Sequence, residues 1–263
     1  MTIKPKKSLG QNFLIDQNII NKISNLTKIN NKIVLEIGAG TGNLSSGILK
    51  QSPKKFFAIE KDKKLFLNLQ KQFNDKIIFI NDDVLKFDEY SLSKDKLTVF
   101  GNLPYNISTE ILVKWIINLK DDNFWFESLT LMFQKEVANR ILAKFNTSNY
   151  GRLAVLANWK LDIKKICDIS PSCFSPKPKV ESSLLFFKPK KYFLKLKNSK
   201  NLEIITRTFF NQRRKMIKKP YNQLFNGNKE ILEKLNLNLN LRPQNLKLTD
   251  YYEIACEYEK LSC

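Results

Sequence analysis

The stretch Ile33-Val34-Leu35-Glu36-Ile37 runs directly into Gly38-Ala39-Gly40-Thr41-Gly42 and then into a helix-forming segment from about Asn43. A short continuous apolar run reads as a strand covered on both faces. Glycines at the end of such a strand let the backbone pass close to a ligand in the crevice outside its carboxyl end. The pattern then repeats. Phe56-Phe57-Ala58-Ile59-Glu60 reads as a second strand, with a helix over Lys63 to Phe73. Ile77 to Ile80 is a third strand and Leu97 to Phe100 a fourth. A helix near Ser108 to Leu119, a strand near Leu129 to Phe133 and a helix over Glu136 to Ala143 continue the series. Alternating β and α units of this length predict an α/β fold with a parallel, doubly wound sheet. Ahead of the first strand, Asp16 is placed to cap a helix carrying Ile19, Ile20, Ile23 and Leu26 at helical spacing.

After about residue 190 the alternation stops. Leu202, Ile205 and Phe209, then Ile231, Leu232 and Leu235, keep helical periodicity and predict a small all-helical domain. The expected division is a catalytic domain over 1–192 and a helical domain over 193–263, with the boundary in the Lys-rich stretch from Pro189 to Lys200. The Asn-Leu alternation from Leu235 to Leu241 is locally simple, and no strand is assigned to it. No heptad or apolar seam argues for self-association, so a monomer is expected. Apolar runs fall well short of the roughly 18 residues of a spanning helix. The start, Met1 to Lys7, is basic but lacks the apolar core of a signal peptide. These features predict a cytoplasmic protein with no membrane association.

Composition narrows the chemistry. The chain has no His, which removes Ser-His-Asp and Cys-His catalysis and His-based zinc sites. Its four cysteines, Cys167, Cys173, Cys256 and Cys263, form no CxxC pair, so no metal site is expected and they read as core or surface thiols. With 45 basic against 25 acidic residues the net charge is +20, which attracts polyanions, nucleic acid before membrane; compositional drift toward Lys and Asn is the alternative.

The glycine loop departs from the nicotinamide fingerprint, because Asn43 stands at the third glycine position. Glu36, just before the turn, suits a ligand bearing a positive amino group. Glu60 ends the second strand, where an acidic residue accepts from ribose hydroxyls. Asp83 follows the third, where a carboxylate accepts from an adenine amino group. Taken singly, the loop is a weak signal with a plain turn as its alternative, and each acid reads as a solvated loop residue; at successive strand ends they outline a nucleoside ligand without phosphate, as in S-adenosylmethionine. Gly101-Asn102-Leu103-Pro104-Tyr105 follows the fourth strand. An adenine amino group is a poor nucleophile. Two acceptors, the Asn102 side-chain oxygen and the Leu103 carbonyl, would hold its hydrogens and turn its lone pair toward a methyl donor. Pro104 would fix the turn and Tyr105 would stack on the base. Phe174, in Cys173-Phe174-Ser175-Pro176-Lys177-Pro178-Lys179-Val180, reads as a second stacking face beside Tyr105, although alone it reads as core; Lys177 and Lys179 would meet the RNA backbone.

Gln11-Asn12-Phe13-Leu14, the Glu-x-Gly-x-Gly-x-Gly loop, Asn102 to Tyr105, Gln134 to Val137, Tyr150 to Leu153, Phe174-x-Pro-x-Pro-Lys-Val and Phe210 to Lys215 together resemble the KsgA-type rRNA adenine dimethyltransferases. The resemblance implies a Rossmann-like class I methyltransferase sheet. It also implies transfer of two methyl groups to each of two adjacent adenosines in the 3′-terminal hairpin of small-subunit (16S) rRNA, within a ribosomal precursor. It places Asn12, Leu14, Gly38, Gly40, Glu60, Asp83 and Asn102 around the cofactor. Ser45 stands where that family usually has Thr, and Gln244 where a Glu is frequent. The basic cluster Arg207, Arg213, Arg214, Lys215, Lys218 and Lys219 is either a solvated helix face or the phosphate-binding surface for RNA. The rival readings are a large-subunit rRNA adenine methyltransferase of the macrolide-resistance type, a DNA adenine methyltransferase and a non-catalytic RNA-binding assembly factor. Neutral Asn102 disfavours the DNA enzyme, and the intact motifs disfavour the binding factor.

Overall fold

A computed structural model describes residues 5–6, 9–121 and 123–261. Most of the basic start from Met1 to Lys7, and Cys263, therefore lie outside the described residues. The chain divides into two compact units, one of Met1–Ile111, Asp122–Ala138 and Ile163–Pro189, the other of Leu112–Asp121, Asn139–Asp162 and Lys190–Cys263.

The first unit is built on a seven-stranded sheet. Its strands are β2 (Ile33–Ile37), β3 (Lys55–Ile59), β4 (Ile78–Ile80), β5 (Leu97–Asn102), β6 (Phe126–Gln134), β7 (Leu161–Ile169) and β9 (Ser182–Pro189), ordered β4-β3-β2-β5-β6-β9-β7. A two-residue strand β1 (Phe13–Leu14) pairs with β8 (Phe174–Ser175) in a separate ribbon. Strand β2 is buried at all five positions, which is why it is apolar at four of them, the fifth being Glu36, which accepts from the Ser45 hydroxyl. It lies parallel to β3 on one side and β5 on the other, so the strand order reverses there. The loops leaving β2 and β5 consequently diverge at the carboxyl end of the sheet and leave a crevice between them.

The predicted helices form. Asp16 caps α1 (Gln17–Ser24) by accepting from the Ile19 amide at 3.0 Å. Asp62 caps α3 (Lys63–Phe73), while α2 (Asn43–Leu49), α4 (Ser108–Asn118) and α5 (Lys135–Ile141) start at or beside the expected residues. The sheet is not parallel throughout: β9 runs antiparallel to β6, with Gln134 opposite Ser182 and Leu129 opposite Phe187. Neither β7 nor β9 was anticipated. Between them lie only short elements and no crossover helix, and a parallel return needs a connection of about a dozen or more residues, usually helical.

The second unit is helical, as expected for the C-terminal segment, with α7 (Ser199–Phe210), α8 (Lys218–Phe225), α9 (Lys229–Lys234) and α10 (Leu248–Leu261). It also takes in α6 (Arg152–Lys160), from earlier in the chain. Phe209, Tyr221, Tyr251 and Ile254 are buried in its core, and the Tyr252 hydroxyl donates to the Val155 carbonyl at 3.0 Å. The Lys160 ammonium is fully buried but compensated, 2.7 Å from Asp121 and 3.0 Å from the Leu119 carbonyl. The Leu235–Leu241 stretch forms turns, with Asn236 at φ 47°. Among the described residues no helix is long and apolar enough to cross a membrane.

Candidate active site in the crevice of the first unit

One cavity at the carboxyl ends of β2, β3 and β5 is lined by Asn12, Gly38, Gly40, Glu60, Asp83 and the run Asn102 to Tyr105. Leu14 lines a smaller cavity that shares Phe13, Gly38, Gly40 and Asn102 with the first. Residues far apart in sequence thus converge because three strands end side by side.

The glycine loop packs against the segment before α1. A Cβ built on Gly40 would sit 2.9 Å from the Phe13 ring, so that ring closes on bare backbone. Strand β1 is held there by the Asn43 amide, which donates to the Leu14 carbonyl at 2.8 Å. Two buried carboxylates flank the loop. Glu60 accepts from the Gly40 amide at 2.9 Å and from the Asp62 amide at 2.8 Å, while burial pushes its carboxyl above the ordinary range. Each of its oxygens keeps a further lone pair. Glu36 is 1% exposed, accepts from the Ser45 hydroxyl and is pushed up to about 8 by burial. The Thr-to-Ser departure at position 45 therefore preserves the hydroxyl that Glu36 uses. Asp83 is the opposite case. Its Oδ2 accepts from Lys61 Nζ at 2.7 Å and its Oδ1 from the Leu85 amide at 3.0 Å, which hold it below the usual carboxylate range.

Asn102 ends β5. Its Nδ2 donates to the Asn12 carbonyl at 2.8 Å, which fixes the amide with nitrogen toward the N-terminal segment and leaves Oδ1 as an acceptor. The Tyr105 carbonyl accepts from the Ser108 hydroxyl at the start of α4, and the Tyr105 hydroxyl is hydrogen-bonded to Ser182 on β9. Burial raises the Tyr105 phenol above its ordinary value, so it stays neutral.

Other expected positions lie elsewhere. Phe174 is 2% exposed, packs in the hydrophobic core and pairs with Leu14 across the β1–β8 ribbon, so it presents no open face to a base in this conformation. Lys177 and Lys179 follow it on the surface of the first unit. On the second unit Arg207, Arg214, Lys215 and Lys218 are exposed. Arg213 is half-buried, and its guanidinium donates to the Thr147 and Ser148 carbonyls at 3.2 and 2.5 Å. Gln11, Phe13, Lys61 and Asn106 line the cavity without having been singled out. Gln11 and Phe13 sit in a motif that pointed to the site, whereas Lys61 and Asn106 carried no signal a single sequence displays. Cys167, Cys173 and Cys256 are partly buried and in no disulfide. Among the described residues no group of three or more Cys, Asp and Glu side chains is arranged to hold a metal.

A doubly wound sheet with a glycine loop after β2, acids after β3 and β4 and Asn-Leu-Pro-Tyr after β5 defines a class I methyltransferase. Among solved structures, a dimethyladenosine transferase from Plasmodium falciparum is similar at 28% identity and a TM-score of 0.80, covering 95% of this chain and 98% of that one. The 23S rRNA methyltransferase ErmE shares the fold at 20% identity and a TM-score of 0.66, over 96% of this chain and 100% of that one. The chain belongs to the ribosomal RNA adenine dimethylase family, whose model matches residues 2–260. Similar relatives include the ribosomal RNA small subunit methyltransferase A of Pelagibacter ubique, 60% identical over 99% of both chains. Another is that of Ehrlichia ruminantium, 43% identical over 96% of this chain and 97% of the relative.

Proposed function

We propose that this chain transfers methyl groups from S-adenosylmethionine to the N6 amino groups of two adjacent adenosines in the 3′-terminal hairpin of small-subunit (16S) rRNA, two to each. It does so as a monomer, in the cytoplasm, on a ribosomal precursor particle. The observation that carries the reading is the Asn102 amide, held by the Asn12 carbonyl so that its oxygen remains an acceptor in a crevice walled by carboxylates.

The donor set fits the cofactor. Glu60 keeps lone pairs for ribose hydroxyls, and Asp83 is an ionised acceptor for an adenine amino group. Asn12, Leu14, Gly38 and Gly40 form the walls. Among the described residues lining the cavity, Lys61 is the cation, and its Nζ is paired with Asp83. S-adenosylmethionine supplies an electrophilic methyl group on a sulfonium. The protein's own groups orient the nucleophile. Asn102 Oδ1 and the Leu103 carbonyl accept the two hydrogens of the target amino group and aim its lone pair. Pro104 fixes the turn, and the neutral Tyr105 ring stacks on the flipped base, a contact of about 1–3 kcal/mol. No side chain is required as a base, because the product's proton leaves to water. Phe174 backs Leu14 from the core instead of supplying a second open face. Lys177 and Lys179 on the first unit, and Arg207, Arg214, Lys215 and Lys218 on the second, meet RNA phosphates.

The test is transfer of labelled methyl groups from S-adenosylmethionine to undermethylated small subunits, with large-subunit rRNA alongside and mass mapping of the modified nucleoside. Dimethyladenosine in the 3′-terminal hairpin is expected, reduced about 10²–10³-fold in Asn102→Ala, the usual cost of removing one polar group that acts in the transition state. Label on large-subunit rRNA instead would move the substrate to the resistance-type rival. No transfer, with RNA still bound, would leave a binding factor.

A further inference from the structure

We propose that Ser182 is a positioning residue for methyl transfer: its hydroxyl anchors the far end of Tyr105 and thereby sets the plane of the ring on which the target base stacks. The inference rests on the reading of Tyr105 as that stacking face.

Tyr105 follows a turn whose backbone is already constrained, with the Ile107 amide donating to the Pro104 carbonyl at 3.1 Å and Ser108 Oγ to the Tyr105 carbonyl at 3.3 Å. Backbone constraint leaves the two side-chain torsions of a tyrosine open, and those torsions decide where the ring plane lies. The Tyr105 hydroxyl lies 2.5 Å from Ser182 Oγ, so the ring is held at both ends.

Ser182 is a firm anchor. It is fully buried at the start of β9, paired across the ladder with Gln134 of β6. The residue before it is tied down by the Lys135 amide, which donates to the Glu181 carbonyl at 2.9 Å. The residue after it, Ser183, donates to Asp168 at 2.6 Å, and Asp168 is itself held by Lys165. Ser182 is followed by Leu184, Leu185 and Phe187, all buried. A serine in such a strand is an expensive choice unless its hydroxyl is used, because a buried hydroxyl without a partner costs stability where an alanine would not. The use it has is Tyr105. Both partners are neutral, so the contact orients the ring without moving a proton.

The test compares wild type, Ser182→Ala, Ser182→Thr, Tyr105→Phe and the Ser182→Ala/Tyr105→Phe double variant on undermethylated small subunits. Single-turnover rate, KM for the subunit, cofactor affinity and thermal stability are measured for each. Stacking is followed in the same proteins by quenching of 2-aminopurine placed at the target position of the hairpin RNA. Ser182→Ala is expected to slow transfer about tenfold to a hundredfold, the scale set by small misplacement of a reacting group. KM and cofactor affinity should stay within about twofold, quenching should weaken, and Ser182→Thr should restore both rate and quenching. Tyr105→Phe should be slow as well, and the double variant no slower than the worse single, because both changes break one interaction. A Ser182→Ala enzyme with wild-type rate and quenching overturns the proposal, as do losses that multiply in the double variant, which would make Ser182 a packing residue of β9. Were wild type itself to transfer no methyl group while binding RNA, the failure would lie with the proposed function, and the inference would fall with it.

Discussion

Glu36 is a residue whose chemistry its surroundings alter strongly. As a bare letter in Ile33–Ile37 it reads as an acid at a strand end; folded, it is 1% exposed, held by Ser45 and pushed up to about 8. The folded protein therefore retains a proton on Glu36 that the unfolded chain releases above the ordinary 4.5. Stability from this group is fully present below that value and is lost as pH rises from there through about 8. Glu36→Gln keeps the shape and an acceptor for Ser45 but removes the titration. The variant's melting temperature is expected to vary less between those two pH values than that of wild type, read by thermal unfolding across a pH series. A slope identical to wild type would assign the dependence to other groups. Asn102 shows the reverse limit of sequence reading. Its importance was legible from Asn-Leu-Pro-Tyr, but the amide's orientation was not, because the Asn12 carbonyl that sets it is ninety residues away.

At the scale of elements, agreement follows burial. Strand β2 and helix α3 match their expected bounds because the strand is buried throughout and the helix has a clear cap in Asp62. Strand β7, Leu161–Ile169, is buried only at its two end residues, with lysines and aspartates between them, and its place beside β9 depends on pairing that no local pattern announces. Two glycines in equally conspicuous motifs make a test of what a glycine is for. Gly42 starts α2 at φ 82°, and a Cβ there would lie 2.6 Å from the Phe73 ring and 2.9 Å from Leu69. Gly42→Ala meets both left-handed backbone strain and overpacking, and is expected to lower stability by about 2–4 kcal/mol. Gly151 caps α6 in extended backbone, with nothing within 4 Å of a built Cβ. Gly151→Ala is expected to leave stability within about 1 kcal/mol of wild type. Denaturant unfolding of both variants checks the contrast, and equal losses would show that motif glycines here share one role.

For the whole molecule the question is what a charge of +20 is for. Composition cannot distinguish a cation offered to a partner from one used inside the fold. Lys160 and Arg213 are used inside: the first is buried against Asp121, the second donates to two backbone carbonyls. Arg214, Lys215 and Lys218 are exposed. Changing these three to Gln is expected to weaken RNA binding and flatten its logarithmic salt dependence by about 2–3, at ~0.7–0.9 for each phosphate no longer neutralised, with cofactor affinity unchanged. Arg213→Gln is expected to lower stability instead, since its two carbonyl partners are deprived of their donor. Filter binding across a salt series, paired with unfolding curves, separates the two effects. An unaltered salt slope in the triple variant would return those side chains to the solvated-face reading.

The sequence by itself determined the α/β class, the order of the first strands and helices, and the loops that carry the chemistry. These are local properties: burial on both faces makes a strand apolar, a cap needs an adjacent Asp, and a tight turn needs glycine. Strand ends and the family resemblance already grouped Asn12, Glu60, Asp83 and Asn102; the tertiary structure brings them into one cavity because β2, β3 and β5 end side by side. It also decided that Phe174 faces the core, that Arg213 is committed to the fold and that Tyr105 meets Ser182. Each of these joins partners distant in sequence, where spacing and composition carry no information about which groups will touch.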